Sequence, residues 1–349
     1  MAYAAITKPS LHFNTVTFTG NNGTNAITGV GFQPDMVWTK RRNGTTNHLL
    51  YDAVRGAGYY LFPNLTNAQG GNGTSALDSF DSDGFTLDSG DDANTSGATG
   101  VGWSWKAANS SGSSNSDGSI TSTVSANTTA GFSIVTYTGT GSAASFGHGL
   151  STPDIVLIKD RTDAGNEWYF HTTAIDGSQD YLRLQSDATK SDASSGYSIG
   201  ASVFNLGGGG TWVNVSSKNY VAYCFKSIKG YSKFGSYNGN SNADGTFVYT
   251  GFKPAFVIFK STSVSSSHWY MWDNKRDLDN PRNKRLYPNL NNSEGDGSDN
   301  NLDFLSNGFK MRSNNGDSNQ SGQVYFYMAF AAEPLVANVG ANGIPATAG

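Results

Sequence analysis

One short segment occurs three times in the chain, and it limits the fold more than any other feature. It reads GFQPDMVWTK at residues 31–40, GLSTPDIVLIK at 149–159 and GFKPAFVIFK at 251–260. Each copy combines a proline, an apolar run and a closing lysine. Proline suits the first residue of a strand, and unbroken apolar runs suit strands covered on both faces. The pattern predicts equivalent buried strands that contain Val37, Ile155 and Val257.

The sequence around these segments repeats in the same order. A strand with a Gly-rich turn precedes each copy, and a stretch rich in Tyr, Trp and Leu follows it. Next comes a turn, at Gly84, Gly196 and Gly308 with equal spacing, and then an aromatic strand. We interpret the chain as three diverged tandem repeats, each a β-sandwich-like unit with equivalent turns at these glycines.

Length and composition agree with an all-β fold of several units. The 349 residues exceed what one compact core usually holds, and 43 glycines with many Asn, Asp and Ser residues indicate short strands joined by turns. The predicted parts are an N-terminal segment (1–12), repeats at 13–108, 131–229 and 230–335, a Ser/Asn/Gly-rich linker (109–130) and a C-terminal tail (336–349).

Charge and hydropathy exclude several classes of partner. The net charge of −4, with 23 Lys plus Arg, gives no basic field for nucleic acid. The chain has no apolar run long enough to insert in a membrane, and its N-terminus shows no signal-peptide pattern. The basic stretch 275–285 is interrupted by Asp277 and Asp279, which predicts a solvated loop.

The residues that usually carry chemistry form no recognisable site. The five histidines (His12, His48, His148, His171 and His268) have no zinc-binding spacing, and the single cysteine, Cys224, is expected to be a small buried residue. His48, His171 and His268 fall in equivalent parts of the repeats, which favours a structural role.

The carboxylates do not match a glycosidase pair. Glu167, Glu294 and Glu333 occupy unrelated places in the repeats, while Asp78, Asp81 and Asp83 belong to a turn sequence. Calcium could bind at this turn or at 294–301, although the EF-hand spacing is absent. We therefore predict no enzyme activity, no cofactor, and no catalytic or metal-binding residues.

Aromatic residues leave one candidate for ligand binding. Most of the seven tryptophans fall within the strand pattern, which predicts core packing. Trp212 lies between a glycine run (207–210) and the polar stretch that follows, and we expect it to be exposed. An exposed indole ring can stack on a sugar.

Several quoted stretches resemble a known family. The opening MAYAAITKPSLHFNTVTFTG, the motifs LLYDAVRGAGYYL and LDSFDSDGFTL, and the ending MAFAAEPLVANVGANGIPATAG resemble virion proteins of marine-type tailed phages, labelled tail-fibre-like or capsid-decoration-like. The resemblance implies a virion component. It is weaker in the second repeat, where residues 201–219 suggest an extra strand and turn.

These observations predict a non-enzymatic structural component of a phage virion surface, assembled in the host cytoplasm. The segments 1–12 and 336–349 have too few large apolar residues to bury on their own, so we expect contacts with other copies or other virion proteins to hold them. We therefore expect a homo-oligomer, and a trimer is the first expectation. The alternatives are a carbohydrate- or receptor-binding module that contacts host surface glycans, with or without depolymerase activity, and a secreted adhesin.

Overall fold

The structure is a computed structural model that describes residues 4–71, 76–193, 196–209, 212–297 and 299–334. In this part the chain is almost entirely strands and turns, which confirms the all-β class. The helical elements described are short: the 3-10 turns Pro9–Leu11 and Asp92–Asn94, and helix α1 at Gly316–Asn319. None of them has the length and apolar character needed to cross a membrane.

The strands follow one another in three groups. The first group is β1 Phe13–Thr19, β2 Asn25–Thr28, β3 Met36–Arg41, β4 Leu49–Asp52, β5 Tyr60–Leu61, β6 Leu77–Asp81, β7 Gly84–Leu87 and β8 Thr99–Trp105. The second is β9 Ser113–Asn115, β10 Ser122–Asn127, β11 Phe132–Thr138, β12 Ala144–Gly147, β13 Ile155–Asp160, β14 Trp168–Thr172, β15 Asp180–Arg183, β16 Ser191–Asp192, β17 Ser198–Ile199, β18 Val203–Leu206 and β19 Asn219–Phe225. The third is β20 Ser232–Asn238, β21 Phe247–Tyr249, β22 Phe252–Ser261, β23 Trp269–Asp273, β24 Leu302–Leu305, β25 Gly308–Met311 and β26 Val324–Pro334.

Each group, called here the first, second and third unit, forms one large and one small antiparallel sheet within the described residues. The strand orders of the large sheets are β1-β8-β3-β4-β5, β16-β15-β14-β13-β19-β11-β10-β9 and β20-β26-β22-β23. Those of the small sheets are β2-β7-β6, β12-β18-β17 and β21-β25-β24. The three orders match strand for strand, apart from additional strands at the sheet edges.

The three large sheets share one core. Met36 and Trp105 of the first unit, Phe225 of the second, and Phe256 and Phe330 of the third belong to a single buried cluster, called here the central core. The opposite face of each large sheet packs on its own small sheet. Alternate residues of a strand therefore reach different cores, which explains the unbroken apolar runs of the repeated segment.

The register of the sheets fixes which residues are equivalent. Val37, Ile155 and Val257 are buried in the equivalent strands β3, β13 and β22, as predicted. The residue of β13 that matches Val37 and Val257 in register is Val156, and Ile155 faces the central core. The turn prediction is wrong for Gly196. Gly84 and Gly308 open β7 and β25, and the residue in that place in the second unit is Val203.

Two further expectations are corrected by the strands of the second unit. The described residues of 201–219 (201–209 and 212–219) contain no strand beyond the common set before β19, because β18 is the counterpart of β7 and β25. The predicted linker 109–130 contains β9 and β10, and β10 pairs with β11. Ile120 and Val124 are buried in the core of the second unit, so this polar segment has enough apolar side chains to extend the large sheet.

The N-terminal segment packs within the chain. Ala4, Ile6 and Pro9 are buried, and Ile6 belongs to the central core. The expectation that residues 1–12 cannot bury apolar surface on their own is therefore wrong for residues 4–12. The predicted C-terminal tail, 336–349, lies outside the described residues.

Cys224 and most of the tryptophans are buried as predicted. Cys224 and Ala222 face the core of the second unit, whereas Tyr223 and Phe225 face the central core. Burial raises the pKa of the Cys224 thiol to about 12, so the thiol is inert at neutral pH. Six of the seven tryptophans are at most 7% exposed, and Trp212 is 43% exposed.

Candidate functional site

The lysine that closes each repeated segment is buried and contacts a neighbouring unit. Lys40 donates to the carbonyl of Asn291 at 3.4 Å, Lys159 to that of Thr66 at 3.3 Å, and Lys260 to that of Asp187 at 3.3 Å. Each ammonium also donates to carbonyls of its own unit. Burial lowers the pKa of each of these lysines to about 8.

A ring N–H makes a second contact between the same units. Trp168 Nε1 donates to the carbonyl of Phe62 at 2.9 Å, and Trp269 Nε1 donates to that of Arg183 at 3.0 Å. His48 fills the matching place in the first unit, where Nε2 lies 3.0 Å from the carbonyl oxygen of Tyr287. Trp38 Nε1 donates to His48 Nδ1, so the proton of His48 is on Nε2.

This register shows that the three histidines are not equivalent. His48 corresponds to Trp168 and Trp269, while His171 corresponds to Tyr51 and Trp272 of the flanking units. His268 lies one position before β23 and is hydrogen bonded to Asn289. The three histidines thus lie within or directly before the equivalent strands β4, β14 and β23, as predicted, but at different positions of the register.

Backbone hydrogen bonds complete the interface between units. Gln69 N donates to the carbonyl of Arg161 at 3.0 Å, Lys190 N to that of Thr262 at 2.9 Å, and Glu294 N to that of Arg42 at 2.8 Å. The first unit thus contacts the second, the second contacts the third, and the third contacts the first. The same three kinds of contact recur at every interface, and together they close the units into a ring.

Two buried ion pairs lie inside this ring. Asp52 pairs with Arg55, and Asp273 pairs with Arg276, which also binds Glu294. Burial alone would raise the pKa of Asp273, but the Arg276 guanidinium holds it below its ordinary value. The stretch 275–285 is therefore not a solvated loop throughout, because Arg276 and Arg282 are buried.

The candidate carboxylates are engaged in local structure. Asp81 accepts from Ser79 and Thr86, and Asp83 accepts from the backbone N–H groups of the turn at 29–31. Asp78 is exposed, as is Glu333. Among the described residues, the structure brings no three His, Cys, Asp or Glu side chains into a group that could hold a metal ion.

Trp212 lies on an aromatic surface of the second unit. Its ring stacks on Tyr169, with centroids 5.4 Å apart and planes 10° apart, and lies 6.3 Å from the ring of Tyr181. Glu167 and Arg183 form a half-exposed ion pair beside these rings, and Tyr169 pairs with Arg183 across the strands. We call these five residues the Trp212 surface.

A histidine is buried beneath the Trp212 surface. His171 is 3% exposed, and neither of its ring nitrogens has a hydrogen-bond partner among the described residues. It lines a cavity of about 10 Å³ together with Tyr169, Tyr181 and Trp212. Burial lowers the pKa of His171 to about 3, so the ring is neutral at physiological pH.

The Trp212 surface is a place where the second unit departs from the other two. A buried asparagine recurs as Asn94, Asn214 and Asn319. The side-chain oxygen of each accepts a hydrogen bond from a backbone N–H in the turn that follows β1, β11 or β20. Two positions before this asparagine, the first and third units have Asp92 and Asp317, and the second has Trp212. This asparagine was not predicted from the sequence, although its recurrence five residues before each closing strand aligns Trp212 with the two aspartates.

Comparison with known proteins gives a family without an assigned role. Residues 8–334 match the model of a domain of unknown function, DUF7483. No curated protein and no solved structure matches the chain. The match covers nearly the whole chain, which therefore belongs to the DUF7483 family.

Proposed function

We propose that this chain is a non-enzymatic structural component of a phage virion surface that works as an ordered multimer. The observation that carries the proposal is the ring of units, in which each interface repeats a lysine, a ring N–H and a backbone hydrogen bond. Its contacts join residues far apart in sequence, and we expect them to be lost together on unfolding, which makes unfolding slow. Slow unfolding suits a protein exposed outside the cell.

The side chains that could serve catalysis support the same role. His48 binds two partners within the ring, and Glu294 joins Arg42 to Arg276 across the first and third units. Asp81 and Asp83 hold a turn. These groups are committed to bonds within the fold, and the resemblance of the chain's motifs to phage virion proteins supports a virion location.

Two measurements test this proposal. Antibody labelling of intact particles, viewed by electron microscopy, is expected to place the protein on the virion, and light scattering is expected to give a multimer. Particles that lack the label, together with a monomeric protein, would contradict the proposal. Release of reducing sugar that disappears in Asp81→Asn/Asp83→Asn would instead make the chain an enzyme.

A further inference from the structure

We propose that the Trp212 surface binds a neutral hexopyranose unit of a glycan. This inference goes beyond the structural role proposed above and does not depend on it. The Trp212 ring is supported from behind by Tyr169 and is 43% exposed. A flat ring that is rigid on one side and open on the other suits the apolar C–H face of a sugar ring, just as aromatic platforms suit nucleic-acid bases.

Polar groups stand where a stacked sugar would place its hydroxyls. The carboxylate of Glu167 and the guanidinium of Arg183 form an ion pair whose side chains are 33% and 27% exposed. Arg183 lies 5.5 Å from the centroid of the Tyr181 ring, which holds it beside the platform. A hydrogen-bond acceptor, the Glu167 carboxylate, and several donors, those of the Arg183 guanidinium, are thus fixed next to an aromatic face. Ligand sites typically combine an apolar wall with a few polar groups in this way.

The charges around the surface favour a neutral sugar over an acidic one. Glu167 and Arg183 neutralise each other. A carboxylate or sulfate on the ligand would therefore meet a carboxylate and a guanidinium that are already paired with each other.

The backbone and the comparison between units support a ligand-binding role over simple core packing. Trp212 has φ +46°, a left-handed conformation that is uncommon for a bulky residue and that clusters at binding sites. The residue in its place is an aspartate in the first and third units. A large ring half-exposed in one unit of three is not needed to build the common fold.

Fluorescence gives a direct test on the full-length chain. All seven tryptophans lie in the described part, and the other six are buried, so iodide quenches mainly Trp212. Cellohexaose, maltohexaose and chitohexaose are titrated as neutral probes, with pentagalacturonate as the acidic one. We expect one neutral probe to shift the emission and to protect it from iodide, with calorimetry giving the affinity.

Variants then locate the binding. Trp212→Ala should weaken binding roughly tenfold or more, and Trp212→Phe should keep most of it because a platform remains. Tyr249→Ala removes another half-exposed ring, in the third unit, and should leave the affinity unchanged. Thermal unfolding of Trp212→Ala verifies that the variant is folded.

Three results would overturn the proposal: no neutral probe binds at millimolar concentration, binding is the same in Trp212→Ala, or pentagalacturonate binds more tightly than every neutral probe. These results leave the proposed virion location untouched, since particle labelling tests that separately.

Discussion

The Tyr223 hydroxyl donates a hydrogen bond of 2.6 Å to the carboxylate of Asp52, although the two residues are 171 positions apart. In the matching place, Trp103 Nε1 donates to the carboxylate of Asp273 at 3.0 Å. The remaining interface has Thr172 in place of the aspartate and Met328 in place of the donor. Where the buried charge is missing, its donor is missing too, as expected if the two positions depend on each other.

Tyr223→Phe should destabilise the protein by about 1–3 kcal/mol, because it leaves the buried Asp52 carboxylate with one donor fewer. Urea unfolding at neutral pH gives the free energy of unfolding. Tyr249→Phe is the matched control, since Tyr249 is half-exposed, and should change stability by less than about 0.5 kcal/mol. Equal effects of the two substitutions would mean that the bond between Tyr223 and Asp52 contributes nothing measurable.

Gly20→Ala should cost about 1–3 kcal/mol or more. A Cβ at Gly20 would collide with the backbone of Asn94 and Thr95, and the turns at Gly139 and Gly239 have the same close approach. Gly23→Ala, in the same turn, is the control, because the nearest atom to its Cβ would lie 3.9 Å away. Thermal and urea unfolding of the pair should separate them clearly, and a Gly20→Ala protein as stable as Gly23→Ala would disprove the close approach.

Stability should rise as the pH increases from about 8 to 9.5. Burial lowers the pKa of Lys40, Lys159 and Lys260 to about 8 in the folded chain, against 10.5 when unfolded. In this window the unfolded chain binds more protons, so raising the pH favours folding. At higher pH, stability should fall again, because burial raises the pKa of tyrosines such as Tyr51 and the unfolded chain loses their protons first.

Urea unfolding at intervals of pH measures this rise, and replacement of all three lysines by Met should flatten it. A triple variant that keeps the full slope would show that other groups cause the dependence.

Acid should destabilise the protein partly through His171. Burial lowers its pKa from 6.5 to about 3, so the unfolded chain binds an extra proton between these values. The stability that the neutral ring provides is complete above pH 6.5 and is lost as the pH falls. At pH 4.5 the loss should be about 2–3 kcal/mol.

His171→Phe should retain more of its pH 7 stability at pH 4.5 than the wild type retains. Denaturant unfolding of both proteins at the two pH values gives this difference. A parallel decline in the two proteins would assign the acid sensitivity to other groups, such as His48, whose pKa burial also lowers.

Local patterns predicted the strands well because the responsible residues are neighbours in sequence. Proline followed by an apolar run identified β3, β13 and β22, and the strand pattern gave the burial of most tryptophans. The turn prediction failed at Gly196 because the equal spacing of Gly84, Gly196 and Gly308 was taken to mean equivalent positions. The strand it precedes, β17, corresponds to β6, so the glycine lies before the hairpin rather than within it.

The contacts between units could not be predicted from the sequence, because they depend on the order of the units around the ring. The repeated lysines were visible, but one acceptor of each lysine belongs to another unit, and no local pattern indicates which unit that is. The same holds for Tyr169, which lies below Trp212 but is distant from it in sequence. One missed feature did have a signal: Asp52 and Arg55 have the same spacing as Asp273 and Arg276, which should have indicated that Arg276 is buried.

The cyclic order of contacts makes the three units indivisible. In a linear stack an end unit can be lost at the cost of one interface, but here the removal of any unit exposes two interfaces and opens the central core. A fragment of one or two units should therefore not fold on its own, although each has complete sheets. A smaller ancestor would have had to assemble from separate copies before the genes were joined. Selection then acts on the trio as a whole, which leaves individual units free to diverge, as the second has done at Trp212.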